Sequence, residues 1–213
     1  MVILPPPFSP IRQRYAKYMK QSLFIILLFV ASKNAFSQSA SKLFYFDEVS
    51  MFITVPSTFE NVGYQESDKL KEKGIKTIES ANDVEVDMSG LKDLLSIRKG
   101  QFNYMNITIT SGEFIDSTEW LFQQKLVKDM VYKSFVEMAT EEKLDSSSRM
   151  DIVGEKEFDH FTVAIEIMPG KKMHFVLLSR FMKGYDLGIC YVYLDEAIGV
   201  EFKEMVKGVR FKE

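Results

Sequence analysis

Apolar and polar positions alternate most legibly between Glu157 and Phe211. Phe158 to Ile167, Lys172 to Phe181 and Tyr185 to Leu194 are rich in β-branched and aromatic side chains, which suit a pleated surface, and the joints Met168-Pro169-Gly170-Lys171 and Met182-Lys183-Gly184 carry turn residues. Three strands in a meander follow. Asp195 then stands where a helix N-cap belongs, Ile198, Phe202, Met205 and Val206 recur at the i, i+4, i+7, i+8 spacing of one helix face, and Gly208 ends the run. Val209-Arg210-Phe211 reads as a last short strand.

Upstream, Leu43 to Phe46 and Met51 to Val55 form a hairpin pattern around the polar joint Asp47-Glu48-Val49-Ser50, with Pro56 as the stop. From Ser57 to Met88 the pattern weakens: Ser67 caps a short charged helix to Lys73, Gly74 closes it, and the remainder reads as a loop-rich crossing. Leu94 to Lys99 and Asn103 to Thr110 are a second hairpin joined at Gly100-Gln101. The long helix runs from Ser117 to Thr140. Asp116 with Glu119 makes a capping box, and Ile115 with Trp120 takes the staple positions. Trp120, Val127, Val131 and Met138 fall within about 20° of one line, with Leu121, Met130, Phe135 and Ala139 beside it. Lys125, Asp129, Lys133 and Glu137 occupy the opposite, wet face. Glu141 to Met150, with Ser146-Ser147-Ser148, reads as a polar connection into a strand near Asp151 to Val153. The class is α+β: a mostly antiparallel β-sheet flanked by one long helix and a C-terminal helix.

In that order of elements the chain resembles the PsbP-like superfamily. The points of likeness are Met51-Phe52-Ile53-Thr54-Val55-Pro56-Ser57-Thr58-Phe59, a strand ending in proline, and Tyr191-Val192-Tyr193 followed by a helix and Val209-Arg210-Phe211. The resemblance implies an α/β/α sandwich and a role in binding or assembly rather than catalysis; it supplies no metal or partner motif that maps onto these residues.

Charge changes the picture at one end. The first 37 residues hold five basic side chains (Arg12, Arg14, Lys17, Lys20, Lys33), no acid, the nine-residue apolar run Leu23 to Ala31 and the small-x-small triplet Ala35-Phe36-Ser37. That layout is a secretory signal, with Met19 as a start of ordinary signal length; a spanning helix needs about 20 apolar residues, so no permanent membrane anchor is expected. The organisation is therefore an extension and signal peptide at 1–37 and one domain at 38–213, exported to the periplasm or secreted. Removing 1–37 leaves 22 of the 27 basic residues and all 30 acidic ones, a net charge of −8 by difference. A surface of that sign argues against nucleic acid and anionic lipid. The single cysteine, Cys190, allows no internal disulfide.

Candidate chemistry is sparse. If the Met168 to Lys171 turn pairs Ile167 with Lys172, His160 lies opposite Ser179 and His174 opposite Ile165, on different faces, so the two cannot share a metal. Asp83-Val84-Glu85-Val86-Asp87 has a calcium loop's alternating acids, but Met88 and Leu94 stand where such a loop needs glycine and glutamate; an edge strand explains it as well. Cys190 sits between Ile189 and Tyr191 as a small strand residue, Ser39-Ala40-Ser41-Lys42 matches S-x-x-K without partner motifs, and Asn106-Ile107-Thr108 places a glycosylation triplet inside a strand. No catalytic, cofactor or metal residue is assigned. Tyr185, Tyr191 and Tyr193, with Phe175 and Phe181, are the candidates for a binding surface, against a bland role as core and cross-strand pairs. The leading reading is a monomeric, non-catalytic exported domain that binds a protein or another envelope component. Its alternative is a carrier of a small apolar ligand between helix 117–140 and the sheet, decided by whether a closed apolar cavity is present.

Overall fold

The computed structural model describes residues 40–87, 89–111, 117–138 and 144–212. Residues 1–37, expected to be a signal segment, the expected capping residues Ile115 and Asp116, the helix end at Ala139-Thr140 and the linker 141–143 lie outside the described residues. Among the described residues ten strands and three helices follow in order. They are β1 (Ser41–Phe46), β2 (Met51–Pro56), β3 (Glu60–Asn61), α1 (Tyr64–Asn82), β4 (Leu91–Arg98) and β5 (Tyr104–Ser111), then α2 (Ser117–Met138), β6 (Leu144–Val153), β7 (Lys156–Met168) and β8 (Lys171–Met182), and finally β9 (Tyr185–Tyr193), α3 (Glu196–Lys207) and β10 (Arg210–Phe211).

Two antiparallel sheets result. The larger has the order β3-β4-β5-β9-β8-β7-β6, so the β7-β8-β9 meander sits beside β5, and the smaller has the order β1-β2-β10. Successive strand residues point to opposite faces. On β9, Leu187, Ile189, Tyr191 and Tyr193 join the main core with β2, Phe202 and Met205, while Asp186 turns to the other face and meets α2. One face of the large sheet thus carries the small sheet and α3; the other carries α1 and α2. Helix α2 seats Val131 on Phe161 and Val163, adds the Phe135–Phe175 ring pair at 5.5 Å, and is tied down by Lys128 to Asp159 at 2.7 Å and by Trp120 Nε1 donating to Asp186 at 2.9 Å. Lys125, Asp129, Lys133 and Glu137 are exposed, as the sequence spacing requires.

Three sequence expectations need correction. The crossing from Ser57 to Met88 contains a 19-residue helix, α1, which starts at Tyr64 and runs through Gly74. Its inner side is part polar, with Ser67 and Asn82 among Ile78 and Ala81. Ser67, 1% exposed, bonds to Asp93 at 3.0 Å and Ser96 at 3.1 Å, and Asn82 donates to the Met130 carbonyl of α2 at 3.1 Å. Ser67 is therefore an inward-facing anchor, and the residue before the helix is Gly63, which makes no side-chain cap. The segment Asp83 to Asp87 is neither strand nor calcium loop: Asp83 terminates α1 in the left-handed conformation (φ 54°), and Val86 N–H goes to the Glu79 carboxylate at 3.0 Å. Finally, Ser146-Ser147-Ser148 lies within β6, which pairs with β7 from Leu144 to Val153. An edge strand faces water along one side, so polarity does not prevent pairing, and it discourages edge-to-edge aggregation.

Candidate functional site

The face of β6, β7 and β8 that turns towards α3 ends in a cleft of about 570 Å3, lined among others by Arg149, Asp151, His160, His174, Tyr191, Tyr193, Glu196 and Lys203. Both histidines reach it because the register differs from the regular one. The pairing is Glu166↔Lys172 but Met168↔Lys171, a bulge at Ile167, and beyond it His160 stands opposite Leu178 and His174 opposite Ala164. Glu166 holds the turn by accepting the Gly170 N–H at 2.8 Å. Since side-chain direction has a period of two, this places His160 and His174 on one face, contrary to the expectation from a regular hairpin. They remain four residues apart in register, roughly 13 Å along the strand, so they still cannot ligate one ion. Among the described residues no group of three or more His, Cys, Asp or Glu stands close enough to hold a metal.

His160 is the chemically distinctive member. Its side chain is 9% exposed, and Nδ1 lies 3.0 Å from Asp151 Oδ2. Asp151 also accepts from Arg149 Nη2 at 3.2 Å and from the Ile152 amide at 3.0 Å. Burial raises the Asp151 pKa, but these hydrogen bonds outweigh it and hold the carboxyl below the usual carboxylate range. The carboxylate is thus ionised and accepts, so Nδ1 carries the proton. Burial, with the Arg149 charge adding to it, lowers the His160 pKa against the opposing pull of Asp151 and Asp159, and the ring is neutral at pH 7. Nε2 is then an acceptor, and among the described residues it has no hydrogen-bond partner. Ser147 and Thr162 sit beside it on the same face, yet their hydroxyls bond to each other at 2.8 Å.

The aromatic floor is packed rather than exposed. Tyr191 and Tyr193 are each 3% exposed, with Tyr191 against Phe202 at 5.5 Å and Tyr193 stacked on His174 at 4.7 Å between ring centres and 9° between planes. Burial, first of all, raises the Tyr191 phenol pKa. Tyr185 is half-buried at the far end of β9, opposite Met182. The three tyrosines share a strand face but form no common exposed patch; two floor the cleft. His174 Nε2 comes within 2.8 Å of Glu196 Oε1, out of line for a hydrogen bond. The Lys203 ammonium lies 5.6 Å from the Tyr193 ring centre.

Helix α3 forms the far wall and is placed by its own ends. Asp195 accepts the Ala197 N–H at 2.9 Å, Asn103 accepts the Leu194 and Asp195 amides at 3.0 and 3.2 Å, and Lys99 binds Glu201 at 2.7 Å. At Gly199 the helix rests directly on Tyr193: a Cβ there would lie 2.4 Å from Tyr193 Cε2.

The other face holds the remaining candidates. Asn106 is 8% exposed and donates to Ser96 at 3.0 Å, so the glycosylation triplet is buried structure. Cys190 keeps partial access to a groove of about 800 Å3 beneath α1, where desolvation pushes its thiol up to about 12 and keeps it protonated. That groove, lined by Leu70, Phe102, Asn106 and Val192 among others, is open; α2, where a carrier pocket was expected, sits flush on the sheet through Val131 and Phe135. Among the described residues no helix is long and apolar enough to cross a membrane.

No protein-family model matches the chain, and no curated protein matches its sequence. Among solved structures it is similar to the cyanobacterial PsbP protein, CyanoP, of Synechocystis sp. PCC 6803, with a TM-score of 0.48 and 7% identity over 84% of this chain and 96% of that one. It is also similar to the Ran-binding protein Mog1p of Saccharomyces cerevisiae, with a TM-score of 0.41 and 9% identity over 81% of this chain and 96% of that one. These likenesses accompany the resemblance read from the order of elements. They concern the course of the chain and do not bear on the cleft.

Proposed function

We propose that the chain is an exported, non-catalytic binding domain whose ligand seats in the cleft under α3. One observation carries the reading: a buried imidazole is oriented at Nδ1 by Asp151 and left without a hydrogen-bond partner at Nε2 among the described residues. An unpaired buried acceptor costs about 1 to 3 kcal/mol, which a ligand's donor recovers once the side chains covering Nε2 move aside. Nucleophilic catalysis is less well supported, because it needs a hydroxyl or thiol bonded to that nitrogen; Ser147 and Thr162 bond to each other, and Cys190 faces the other side of the sheet. The order of basic, apolar and small residues before Gln38 supports export, and a ligand in that compartment is a protein or another envelope component.

The test is retention of envelope components by the immobilised protein and by His160→Leu, with both shown to be folded by circular dichroism. Material held by the wild type and lost from the variant supports the cleft as the seat; equal retention by both rejects it. A carrier of a small apolar ligand is the second reading, favoured by the groove beneath α1 with its Leu70, Phe102 and Val192 walls. Saturable binding of a fluorescent fatty acid, abolished by Gly74→Trp but not by His160→Leu, would favour it.

A further inference from the structure

Strands β1 and β2 read Leu43-Phe44-Tyr45-Phe46 and Met51-Phe52-Ile53-Thr54-Val55, apolar on both faces with only Thr54 as an interruption. A strand with one wet face alternates apolar with polar, and an unbroken apolar run belongs to a strand covered on both sides. Here one side is covered. Met51, Ile53 and Val55, each 4% exposed or less, face the core with Phe46. The register defines the other side: Leu43 lies opposite Thr54, Tyr45 opposite Phe52, and Phe52 opposite Arg210, so these side chains share the outer face of the small sheet. Leu43 is 62% exposed and Tyr45 41%, with the Tyr45 ring stacked on Phe52 at 4.3 Å. Val200 of α3, 55% exposed, continues the patch across a groove of about 1010 Å3. Exposed apolar side chains gathered in this way mark a contact surface.

The charges around the groove select what covers it. Glu201 and Glu204 stand on the α3 wall, and Arg210 and Lys212 on the wall formed by the end of the chain. The two acids hold Lys99 and Lys207, each at 2.7 Å, in pairs exposed enough to be weak and to accept a further cation. Arg210 and Lys212 make no ion pair among the described residues. A partner surface of one sign would meet its like on one wall or the other. A second copy avoids this, because in a two-fold contact the patch meets itself in the reverse direction and the acidic wall of each copy comes to the basic wall of the other. We propose that the protein is a two-fold dimer joined through the outer face of β1-β2-β10 and the adjoining flank of α3. Leu43, Tyr45 and Val200 of each copy pack on the other's apolar face, and Glu204 of one copy pairs with Arg210 of the second. No residue that lines the cleft lines this groove, so the dimer is independent of the binding reading above.

The experiment is sedimentation equilibrium of the purified protein from about 1 to about 100 µM. The mass should rise with concentration to twice that of the chain. Leu43→Glu, at a position already open to water, should keep the circular dichroism of the wild type and weaken the dimer by about a hundredfold or more, since the symmetry buries two unpaired carboxylates. Arg210→Glu sets acid against acid and Glu204→Arg sets base against base, so each should weaken the dimer by about tenfold or more. The two together exchange the walls and should bring the dissociation constant back to within about threefold of the wild type. His160→Leu, outside the contact, should leave it unchanged. A monomer at every concentration, or a dimer indifferent to Leu43→Glu, would overturn the proposal. Failure of the double exchange to restore the dimer would overturn the pairing of the walls. A monomer that retains an envelope protein, and loses it in Leu43→Glu, would give the face to a different partner and overturn the second copy.

Discussion

Replacing Gly199 by alanine sets two effects of opposite sign against each other. In a helix interior alanine is favoured over glycine by about 1 kcal/mol, because glycine loses more backbone freedom on folding. The new methyl, however, would stand 2.4, 2.6 and 2.7 Å from Tyr193 Cε2, Cδ2 and Cζ, where carbon atoms normally pack at about 3.5 to 4.0 Å. Neither side yields easily. The ring is backed by His174 at 4.7 Å between centres, and the helix is held by Phe202, which is fully buried, and by the Lys99–Glu201 ion pair at 2.7 Å. Overpacking of this kind costs about 1 to 3 kcal/mol, and with distances this short the cost falls in the upper part of that range, so after the helix-propensity gain Gly199→Ala should destabilise by up to about 2 kcal/mol. Gly74→Ala is the control, since a Cβ there meets nothing within 4 Å and α1 is exposed at that turn. It should stabilise by about 0.5 to 1 kcal/mol. Urea midpoints at unchanged m-value read both. A higher midpoint for Gly199→Ala, or a shift of both variants in the same direction, would mean that α3 does not rest on Tyr193 as described.

Three further outcomes follow from named groups. Trp120→Ala should cost about 3 to 5 kcal/mol and leave Asp186 short of a donor, whereas Lys125→Ala should stay within about 0.5, again by urea midpoint; the reverse ranking would contradict the burial of that helix face. The His160 pKa is lowered on folding, so the unfolded chain takes up that proton first: stability should fall as pH drops below about 6.5, and His160→Phe should flatten the thermal-melt profile over pH 7.5 to 5.5, an unaltered slope being the adverse result. The Cys190 thiol, pushed up to about 12, should resist iodoacetamide at pH 8 in the native protein and react once unfolded; rapid native alkylation, followed by mass, would show a thiolate.

What could be read from the sequence was whatever depends on apolar periodicity. The β7-β8-β9 meander and α3 bury an apolar set at strand or helix spacing, so each boundary appears within one or two residues of where side-chain type changes. Helix α1 could not be read this way, because its inner side mixes the polar Ser67, Lys71 and Asn82, which bond to β4 and α2, with the scattered apolar Ile75, Ile78 and Ala81. A helix whose inner face is satisfied by hydrogen bonds leaves no continuous apolar stripe to recognise, and Gly74 within it looks like an end. Strand β6 was hidden for a related reason: an edge strand needs only backbone pairing, and its serines face water. For the tyrosines of β9 both a core role and a surface role fitted the spacing, which tells which face a side chain takes and not what covers that face.

The cleft itself turns on one residue that no pattern of side chains announces. Strand β7 carries an extra residue at Ile167, and without it the pairing that starts from Ile167 and Lys172 would put His160 and His174 on opposite faces. With it, every residue of β8 from Lys172 onward changes partner by one, His174 turns to the same side as His160, and its ring stacks on Tyr193. At the turn the shift is accommodated by local chemistry, the Glu166 carboxylate on the Gly170 amide and the positive φ of Gly170, 72°. The apolar core tolerates it because Val176 and Leu178 still meet Tyr191 and Ile189 across β9, whose register is regular. A bulge at a hairpin end thus decides which polar side chains reach the cleft while leaving the apolar pairing of β8 with β9 regular.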